Sequence, residues 1–469
     1  MTTPQPPIAH TGLRSIDGPL LVVGDVQGVG YDETVAINLP GGETRHGVVL
    51  EVDGDLAVVQ VFEGTDGLSL VGPEVVFGGH PMTVPGGDGW FGRVSSGRGE
   101  PLDGGPPVVG PVDLPVAGWP LNPARRDGPA DPILTGISAI DGLATLVRGQ
   151  KLPIFSQGGL PHLELAAQIA IQSRSTTGEF RIVFCAMGIT HADADMVMGT
   201  LQGRGGTGDL AVFLNTADDP AIERILTPRL ALTVAEDAAF RGGADVLVVM
   251  ADMTSYCEAV REIGARRGDI PGRRGYPGFL YSDLASIYER SGRIDGRPGS
   301  VTQVPVLTMP AGDPTHPVPD LTGYITEGQL ILSPELQAQS VYPPFDALGS
   351  LSRLMRRGIG EGRTREDHQA VSSQVYASLA RARQARELGE LVGPDALSET
   401  DRRYLAFVDH LEAHFLHQGR DEDRDLEETL GRMWAALSQL PRRELTMIAD
   451  RWLDAYYGKE SDATAHAAG

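Results

Sequence analysis

The chain has 469 residues, of which 41% are hydrophobic and 22% are charged, and its formal net charge is −23. This composition excludes a disordered chain, and the length predicts about three domains. A surface this acidic disfavours nucleic acid and anionic lipid as partners, so any phosphate site must be locally positive.

Targeting and redox signals are sparse. The N-terminus has no apolar stretch behind a basic start, and no apolar run approaches the ~20 residues of a membrane span. We therefore expect neither a signal peptide nor a transmembrane segment. Two cysteines, Cys185 and Cys257, lie in or beside apolar runs. They are predicted to be buried free thiols of a protein in the reducing cytoplasm.

The first region is predicted to be a small β-barrel, residues 15–81, preceded by a flexible N-terminus, residues 1–14. Two β-branched runs, HGVVLEV and DLAVVQVF, flank Asp53-Gly54, which is a strong hairpin signal. The runs PLLVVGDV and ETVAINL supply further strands. A barrel by itself says nothing about function.

The second region is predicted to be an α/β domain, residues 82–346. It opens with a passage rich in Gly and Pro, residues 86–132, that is too irregular for regular elements. Unbroken apolar runs then alternate with helical patterns, and the runs are KLPIF, RIVFCAMG, LAVFLN, ADVLVVMAD and VTQVPVLTMP. This alternation indicates a doubly wound parallel sheet buried on both faces, with ligands at the carboxyl ends of the strands.

The third region, residues 347–469, is predicted to be helical. Its clearest helix is DLEETLGRMWAALSQL, where one face carries Leu426, Leu430, Met433, Leu437 and Leu440. Ser398 and Asp401 resemble a capping box that begins another helix.

The stretch KLPIFSQGGLPHLELAAQ, residues 151–168, has the architecture of a phosphate cradle: a strand, a glycine-bearing turn and a helix. A working P-loop reads GxxxxGK[ST], in which Lys neutralises phosphates and the hydroxyl holds Mg²⁺. Here Ile154 replaces the first Gly, while Leu160 replaces the Lys and Pro161 the hydroxyl residue. Pro161 is expected as the first helical residue. The stretch is either a degenerate phosphate loop or an ordinary strand–turn–helix.

A second signal is Asp252, which ends the buried run ADVLVVMAD. In P-loop enzymes an acid at this point binds Mg²⁺. Here it either holds an ion weakly or only satisfies neighbouring backbone groups.

Long segments of the chain, from about residue 15 to about residue 457, resemble the B (beta) subunit of A/V-type rotary ATP synthases and ATPases. The segments are TGISAIDGLATLVRGQKLPIFSQGGLPHLELAAQIA, LNTADDPAIERILTPRLALTVAE, DMTSYCEAVREIGARRGDIPGRRGYPGFLYSDLASIYERSGR, GSVTQVPVLTMPAGDPTHPVPDLTGYITEGQL and YPPFDALGSLSRLMRRGIGEGRTREDH. The resemblance implies a β-barrel crown, a P-loop-like (RecA-like) α/β domain and a helical domain.

The resemblance also implies an assembly. Three such chains would alternate with three catalytic A subunits around a central stalk. Peripheral stalk subunits and a membrane sector that moves protons or sodium ions would complete a complex whose soluble part lies in the cytoplasm. This chain would be peripheral to the membrane, would have no metal site of its own, and would help to couple ATP synthesis or hydrolysis to ion transport.

By the same resemblance, Arg353 in SLSRLM reaches the ATP of the neighbouring A subunit as an arginine finger. ADP or ATP with Mg²⁺ would bind weakly at the degenerate site of this chain or at the A–B interface. Its residues would be Ser156, Gln157, Gly158, Gly159, Leu160, Pro161, Asp252 and Tyr342. Tyr342 would either stack on adenine or serve packing alone.

Two features argue that the chain is not catalytic by itself. The loop reads FSQGGLP where the family usually has a turn like FSGSGLP, and the Lys and hydroxyl are missing. The stretch from Ala186 to Thr190, where a catalytic subunit places a carboxylate for the attacking water, contains none. The alternatives are a self-sufficient P-loop motor or secretion NTPase, and a non-catalytic scaffold protein.

Overall fold

The computed structural model describes residues 9–202, 207–393 and 397–459. Within them the chain forms an N-terminal β-barrel, a central α/β domain and a C-terminal helical domain, as the sequence predicts.

The barrel is a seven-stranded antiparallel sheet in the order β1-β7-β4-β5-β6-β3-β2. Its strands are β1 (Ala9–His10), β2 (Leu13–Asp17), β3 (Leu20–Val23), β4 (Glu33–Asn38), β5 (Thr44–Asp53), β6 (Leu56–Val61) and β7 (Glu74–Pro81). The predicted hairpin joins β5 to β6, and Gly54 in its turn has φ +61°. Alternate residues such as Leu21, Ile37 and Val59 are fully buried and form the barrel core.

The barrel begins before residue 15, which corrects the predicted flexible segment 1–14. Strand β1 pairs with β7, and β2 already begins at Leu13, because Leu13 is buried in the barrel core. The remainder of that predicted segment, residues 1–8, lies outside the described residues.

The described residues after the barrel include fifteen further strands. They are β8 (Thr83–Pro85), β9 (Val94–Ser96), β10 (Asp113–Pro115), β11 (Arg126–Asp127), β12 (Pro132–Leu134), β13 (Leu146–Val147), β14 (Ile154–Ser156), β15 (Arg174–Ser175), β16 (Phe180–Ile189), β17 (Leu210–Thr216), β18 (Asp245–Ala251), β19 (Gly292–Ile294), β20 (Ser300–Thr308), β21 (Gly328–Ile331) and β22 (Leu351–Ser352).

The central sheet has the order β22-β21-β14-β20-β18-β16-β17-β9. The pairs from β21 to β9 are parallel, and β22 pairs antiparallel with β21. The four long apolar runs after KLPIF form β16, β17, β18 and β20. Because the strands are parallel, their carboxyl ends meet at one edge, where the loop after β14 also lies.

Two apolar cores cover the two faces of this sheet. Along β16, Phe184 and Ala186 face one core, and Cys185 and Met187 face the other. The first core contains residues of the short α1 (Ser138–Leu143), of α2 (His162–Gln172) and of α3 (His191–Gln202). The second packs α4 (Ala221–Glu236), α5 (Met253–Arg267), α6 (Leu280–Tyr288) and α7 (Pro317–Ile325), and α8 (Pro334–Ala338) follows.

One passage and one domain boundary differ from the sequence-based prediction. The passage 86–132 is not free of regular elements, because β9 joins the edge of the central sheet beside β17. The division at residue 346 is too early, because β22 hydrogen-bonds to β21 and so belongs to the central sheet. Such short strands carry too few residues to show a period in the sequence.

The C-terminal domain contains α9 (Met355–Gly358), α10 (His368–Val392), α11 (Glu399–Leu411), α12 (Leu426–Leu437) and α13 (Asp450–Tyr456). The predicted cap holds, since the Ser398 hydroxyl accepts from the Asp401 amide at 3.1 Å. On α12, Leu430, Met433 and Leu437 are fully buried as predicted. This helical domain shares one core with α1, α2 and α3, so it packs directly against the central domain.

Both cysteines are free and buried, as predicted. Burial raises the pKa of the Cys185 thiol, which keeps it protonated. Among the described residues, no helix is both long and apolar enough to cross a membrane.

The fully buried His368 joins the helical domain to α1. Its Nε2 lies 3.1 Å from the Gly142 carbonyl and must donate to it, so Nδ1 accepts from Thr364 at 3.2 Å. Burial lowers the pKa of His368 from 6.5 to about 4. The unfolded chain therefore binds a proton more readily than the folded one, and stability is lost as pH falls from about 6.5 towards 4.

We expect His368→Gln to flatten the pH dependence of stability in this window. The wild-type chain should lose up to about 3 kcal/mol of unfolding free energy there from this one group. Chemical denaturation at pH 7.5, 6 and 5 measures it, with the same substitution at the exposed His80 as the control. An unchanged pH slope in His368→Gln would contradict this role.

Candidate functional site

The loop between β14 and α2 is shaped like a phosphate cradle but lacks its charges. Ser156 is fully buried where β14 ends, while Gly158 and Gly159 are exposed. Gly159 has φ +86°, a backbone conformation that favours glycine. Leu160 is only 8% exposed and packs into the core, so its side chain is directed away from solvent.

The helix after this loop begins one residue later than expected. Pro161 is the N-cap residue, with φ −81° and ψ 48°, and α2 starts at His162. This corrects the prediction that Pro161 is the first helical residue. The His162 amide donates to the Leu160 carbonyl at 2.9 Å, and the acidic Glu164 lies in the first turn. A negative side chain here disfavours an anion at the helix terminus.

Asp252 lies where β18 meets α5, and its carboxylate is occupied by the protein itself. Its Oδ1 accepts from the Thr254 amide at 2.6 Å and from the Thr308 amide at 3.3 Å. Its Oδ2 accepts from the Thr308 hydroxyl at 2.6 Å. Asp252 therefore caps α5 and ties β18 to β20, which is one of the two roles left open by the sequence.

Thr308 is the residue that links the loop to Asp252. It ends β20, opposite Ser156 of β14, and its hydroxyl lies 3.5 Å from Nε2 of His162. Sequence reasoning missed both Thr308 and His162. The signal that could have found Thr308 is its position at the end of an apolar run, since the carboxyl ends of parallel strands meet.

Tyr342 packs between the central and C-terminal domains. Its hydroxyl donates to Gln168 Oε1 of α2 at 2.8 Å, and burial raises its pKa. The Arg420 guanidinium lies 5.2 Å from the Tyr342 ring centroid and pairs with Glu164 at 2.8 Å. The ring is therefore already engaged by a cation of the same chain.

These residues do not fit a Mg²⁺-nucleotide in the manner of a working P-loop. The loop supplies neither Lys nor a Ser/Thr hydroxyl after Gly159, and Asp252 is engaged by Thr308. Gln157 is half-buried beside Gly312. Across residues 9–202, 207–393 and 397–459, no group of three His, Cys, Asp or Glu side chains could hold a metal ion.

The stretch from Ala186 to Thr190 carries no carboxylate, and its side chains are largely engaged within the protein. Ala186 and Ile189 are buried in the core, and the Thr190 hydroxyl donates to Asp193 at 2.7 Å. Gly188 has φ +66°, and a Cβ there would lie 2.7 Å from Nε of Arg224. An acidic side chain at Gly188 would thus require Arg224 to move.

Arg353 lies just after β22, the edge strand at the end of the sheet order that is farthest from β9. Its amide donates to the Glu327 carbonyl at 3.0 Å, and its Nη1 donates to the Thr326 carbonyl at 3.4 Å. The side chain is exposed. Within the described part of the chain, no carboxylate forms an ion pair with it. An external anion could therefore bind the guanidinium without breaking an internal salt bridge.

The backbone around Arg353 depends on a close approach of two strands. Gly328 of β21 pairs with Ser352 of β22, and a Cβ at Gly328 would lie 2.0 Å from the Leu351 carbonyl oxygen. Only glycine permits this contact. Leu348 and Leu351, which shortly precede Arg353 in the chain, are 39% and 52% exposed, so this segment presents accessible apolar side chains as well as the cation.

The three domains match three family models in the order of the chain. Residues 14–79 match the β-barrel domain of the ATP synthase alpha/beta family, and residues 136–352 match its nucleotide-binding domain. Residues 357–457 match the C-terminal domain of V and A type ATP synthases.

A solved structure shares the same fold over most of the chain. It is that of an ATP synthase subunit, NeqB from Nanoarcheaum equitans, described as unique. The two chains are 36% identical, the match covers 90% of this chain and 100% of that one, and the TM-score is 0.72. The chain belongs to the ATP synthase alpha/beta family. Within this family it is an A/V-type ATP synthase subunit, and such a subunit implies a multi-subunit complex.

We expect Tyr342→Phe to destabilise the chain by about 1–2 kcal/mol, because the buried Gln168 amide would lose its hydroxyl partner. Chemical denaturation measures the difference. Tyr324→Phe is the matched control, since Tyr324 is 72% exposed and its loss should cost less than about 0.5 kcal/mol. Equal effects of the two substitutions would refute a structural role for the Tyr342 hydroxyl.

Proposed function

We propose that this chain is the non-catalytic, regulatory B (beta) subunit of an A/V-type rotary ATP synthase/ATPase. It alternates with catalytic A subunits in a hexameric ring and supplies Arg353 to the ATP site of a neighbouring A subunit. The observation that carries the proposal is an exposed arginine that has no carboxylate partner among the described residues, located in a chain whose own phosphate loop has no lysine.

The chemistry of phosphoryl transfer explains why an arginine in this position matters. Negative charge develops on the oxygens of the transferred group, and a planar guanidinium can bind two of them at once. Arg353 has a backbone amide that is hydrogen-bonded to Glu327, an exposed side chain, and two exposed leucines shortly before it in the chain. These features suit an arginine that binds an anion held by a neighbouring subunit.

The defects at the chain's own loop support the non-catalytic half of the proposal. Leu160 is buried where a P-loop carries Lys, and Pro161 has no hydroxyl for Mg²⁺. The stretch from Ala186 to Thr190 carries no carboxylate at the end of β16. We infer that Ser156, Gln157, Gly158 and Gly159 bind nucleotide only weakly, and that productive ATP lies at the A–B interface.

The remaining partners follow from the same role. A ring subunit of this kind works with a central stalk, with peripheral stalk subunits and, through them, with a membrane sector that moves protons or sodium ions. We propose that the chain lies on the cytoplasmic side, peripheral to the membrane, and contributes to coupling ATP synthesis or hydrolysis to ion transport.

Replacing Arg353 tests the arginine finger. In the reconstituted complex, Arg353→Ala should lower the kcat of ATP hydrolysis by ~10³-fold or more, because an arginine supplied in trans contributes ~10³–10⁵ in rate. Assembly should persist, since the side chain makes one long hydrogen bond to the described residues, to the Thr326 carbonyl at 3.4 Å.

Arg383→Ala is the control for this test, because Arg383 is an exposed arginine of the helical domain that pairs with the exposed Glu387 on the same helix. Its complex should retain wild-type turnover. A normal kcat in an assembled Arg353→Ala complex would refute the role of Arg353. If the wild-type chain failed to co-purify with a catalytic subunit, the result would favour a scaffold protein.

The purified chain alone should hydrolyse ATP at no measurable rate, with or without Mg²⁺. Titration of ADP and ATP against the same sample, by calorimetry, reports on the degenerate site. Because no cation replaces the P-loop Lys, any binding should be weak and should change little on addition of Mg²⁺. Turnover by the isolated chain at the rate of a motor enzyme would instead establish a self-sufficient NTPase.

A further inference from the structure

Lys151 is a buried cation that contacts Glu327, the residue to which the backbone of Arg353 is hydrogen-bonded. The residue is 2% exposed, and its ammonium group contacts two carboxylates, Glu289 at 2.7 Å and Glu327 at 3.0 Å. A lysine is almost never buried this deeply unless it is paired, so the site is built around the charge.

The four charges of this cluster balance. Glu289 also binds Arg126 at 2.6 Å, so that two cations face two carboxylates. Although burial raises the pKa of Glu289, the hydrogen bonds and charges of Lys151 and Arg126 hold it below its usual value. Among the cations of the described residues, only Lys151 pairs with Glu327.

Glu327 is also the residue that holds Arg353. Its carbonyl accepts from the Arg353 amide at 3.0 Å, and its own amide donates to the Lys151 carbonyl at 3.1 Å. The Lys151 amide donates to the Glu327 carboxylate at 2.8 Å. A carboxylate is thus attached to the same residue that positions the arginine.

Neighbouring side chains hold the segments of Glu327 and Arg353 together. The Gln150 amide nitrogen donates to the Glu327 carbonyl at 3.2 Å and to the Ser352 hydroxyl at 3.0 Å. That hydroxyl donates in turn to the Thr145 carbonyl at 3.1 Å. Residues 150–151 therefore hold both sides of the β21–β22 pair from the segment that leads into β14.

We propose that Lys151 is a positioning residue for Arg353: by neutralising Glu327 it prevents this carboxylate from capturing the Arg353 guanidinium and keeps the guanidinium available to a phosphate of the neighbouring subunit. The inference rests on the proposed function, because it requires Arg353 to act in trans. It adds a residue whose own side chain never reaches the nucleotide.

The physical reason is competition between two anions for one cation. A guanidinium binds carboxylate and phosphate with the same planar, bidentate geometry. A carboxylate on Glu327, whose backbone is hydrogen-bonded to that of Arg353, has a large entropic advantage over a phosphate on another subunit, since it belongs to the same chain and is held nearby. Pairing Glu327 with a buried ammonium removes this competitor, whereas a neutral residue at position 151 would release it.

The test uses the reconstituted complex and compares two variants that differ only in which carboxylate is removed. Lys151→Met/Glu327→Gln lacks the lysine and the carboxylate beside Arg353. Lys151→Met/Glu289→Gln lacks the lysine and its other partner but keeps the Glu327 carboxylate. The two carry the same charge and the same chemical changes, and kcat and KM for ATP are measured for each.

We expect Lys151→Met/Glu289→Gln, like Lys151→Met alone, to lower kcat ~10–100-fold with little change in KM, since a displaced catalytic group costs about this much. Lys151→Met/Glu327→Gln should recover most of the wild-type kcat, and Lys151→Arg should retain it. Adding Arg353→Ala to Lys151→Met should give no loss beyond that of Arg353→Ala alone, because both act through one guanidinium.

Thermal unfolding of each variant separates folding defects from positioning. Equal kcat values for the two double variants, or multiplicative effects of Lys151→Met and Arg353→Ala, would overturn the role of Lys151. If Lys151→Met alone does not assemble, the two double variants still decide the point, and failure of both to assemble would make Lys151 a purely structural residue. A normal kcat in Arg353→Ala would instead refute the proposed function itself.

Discussion

The burial of the parallel sheet on both faces is the constraint on which the rest of this structure depends. Successive residues of β16 enter opposite cores, so the strand carries no polar side chain along its buried length. The polar groups of the candidate site lie instead at the carboxyl ends of the strands and beside the edge strand β22. Ser156, Thr308 and Asp252 meet at the carboxyl ends, and Arg353 follows the edge strand.

These two places differ in electrostatics. At the carboxyl ends the polar groups satisfy one another: Asp252 binds Thr308, and Arg420 binds Glu164. At the edge, Lys151 satisfies Glu327 and leaves Arg353 without a carboxylate partner in the described part of the chain. A site whose charges are internally paired has little left for a ligand, while an unpaired, exposed cation favours an external anion. This contrast agrees with a subunit that contributes to a site it does not itself contain.

Family membership and the physical analysis support each other at different levels. The three matched domains establish an A/V-type ATP synthase subunit of the alpha/beta family. They do not distinguish a catalytic from a non-catalytic subunit, and here the residues carry the argument. Leu160 and Pro161 are apolar side chains where a working P-loop has a cation and a hydroxyl, and the stretch from Ala186 to Thr190 contains no carboxylate.

The sequence by itself determined the three-domain architecture, the strand runs and the loss of the P-loop residues, because these depend on local periodicity and on residue identity. Only the tertiary structure decided which side chains meet. The engagement of Asp252 by Thr308, the cover of Arg420 over Tyr342, and the pairing of Lys151 with Glu327 join residues that are 56, 78 and 176 positions apart. Such contacts depend on strand order and on domain packing, neither of which leaves a periodic signal in the chain.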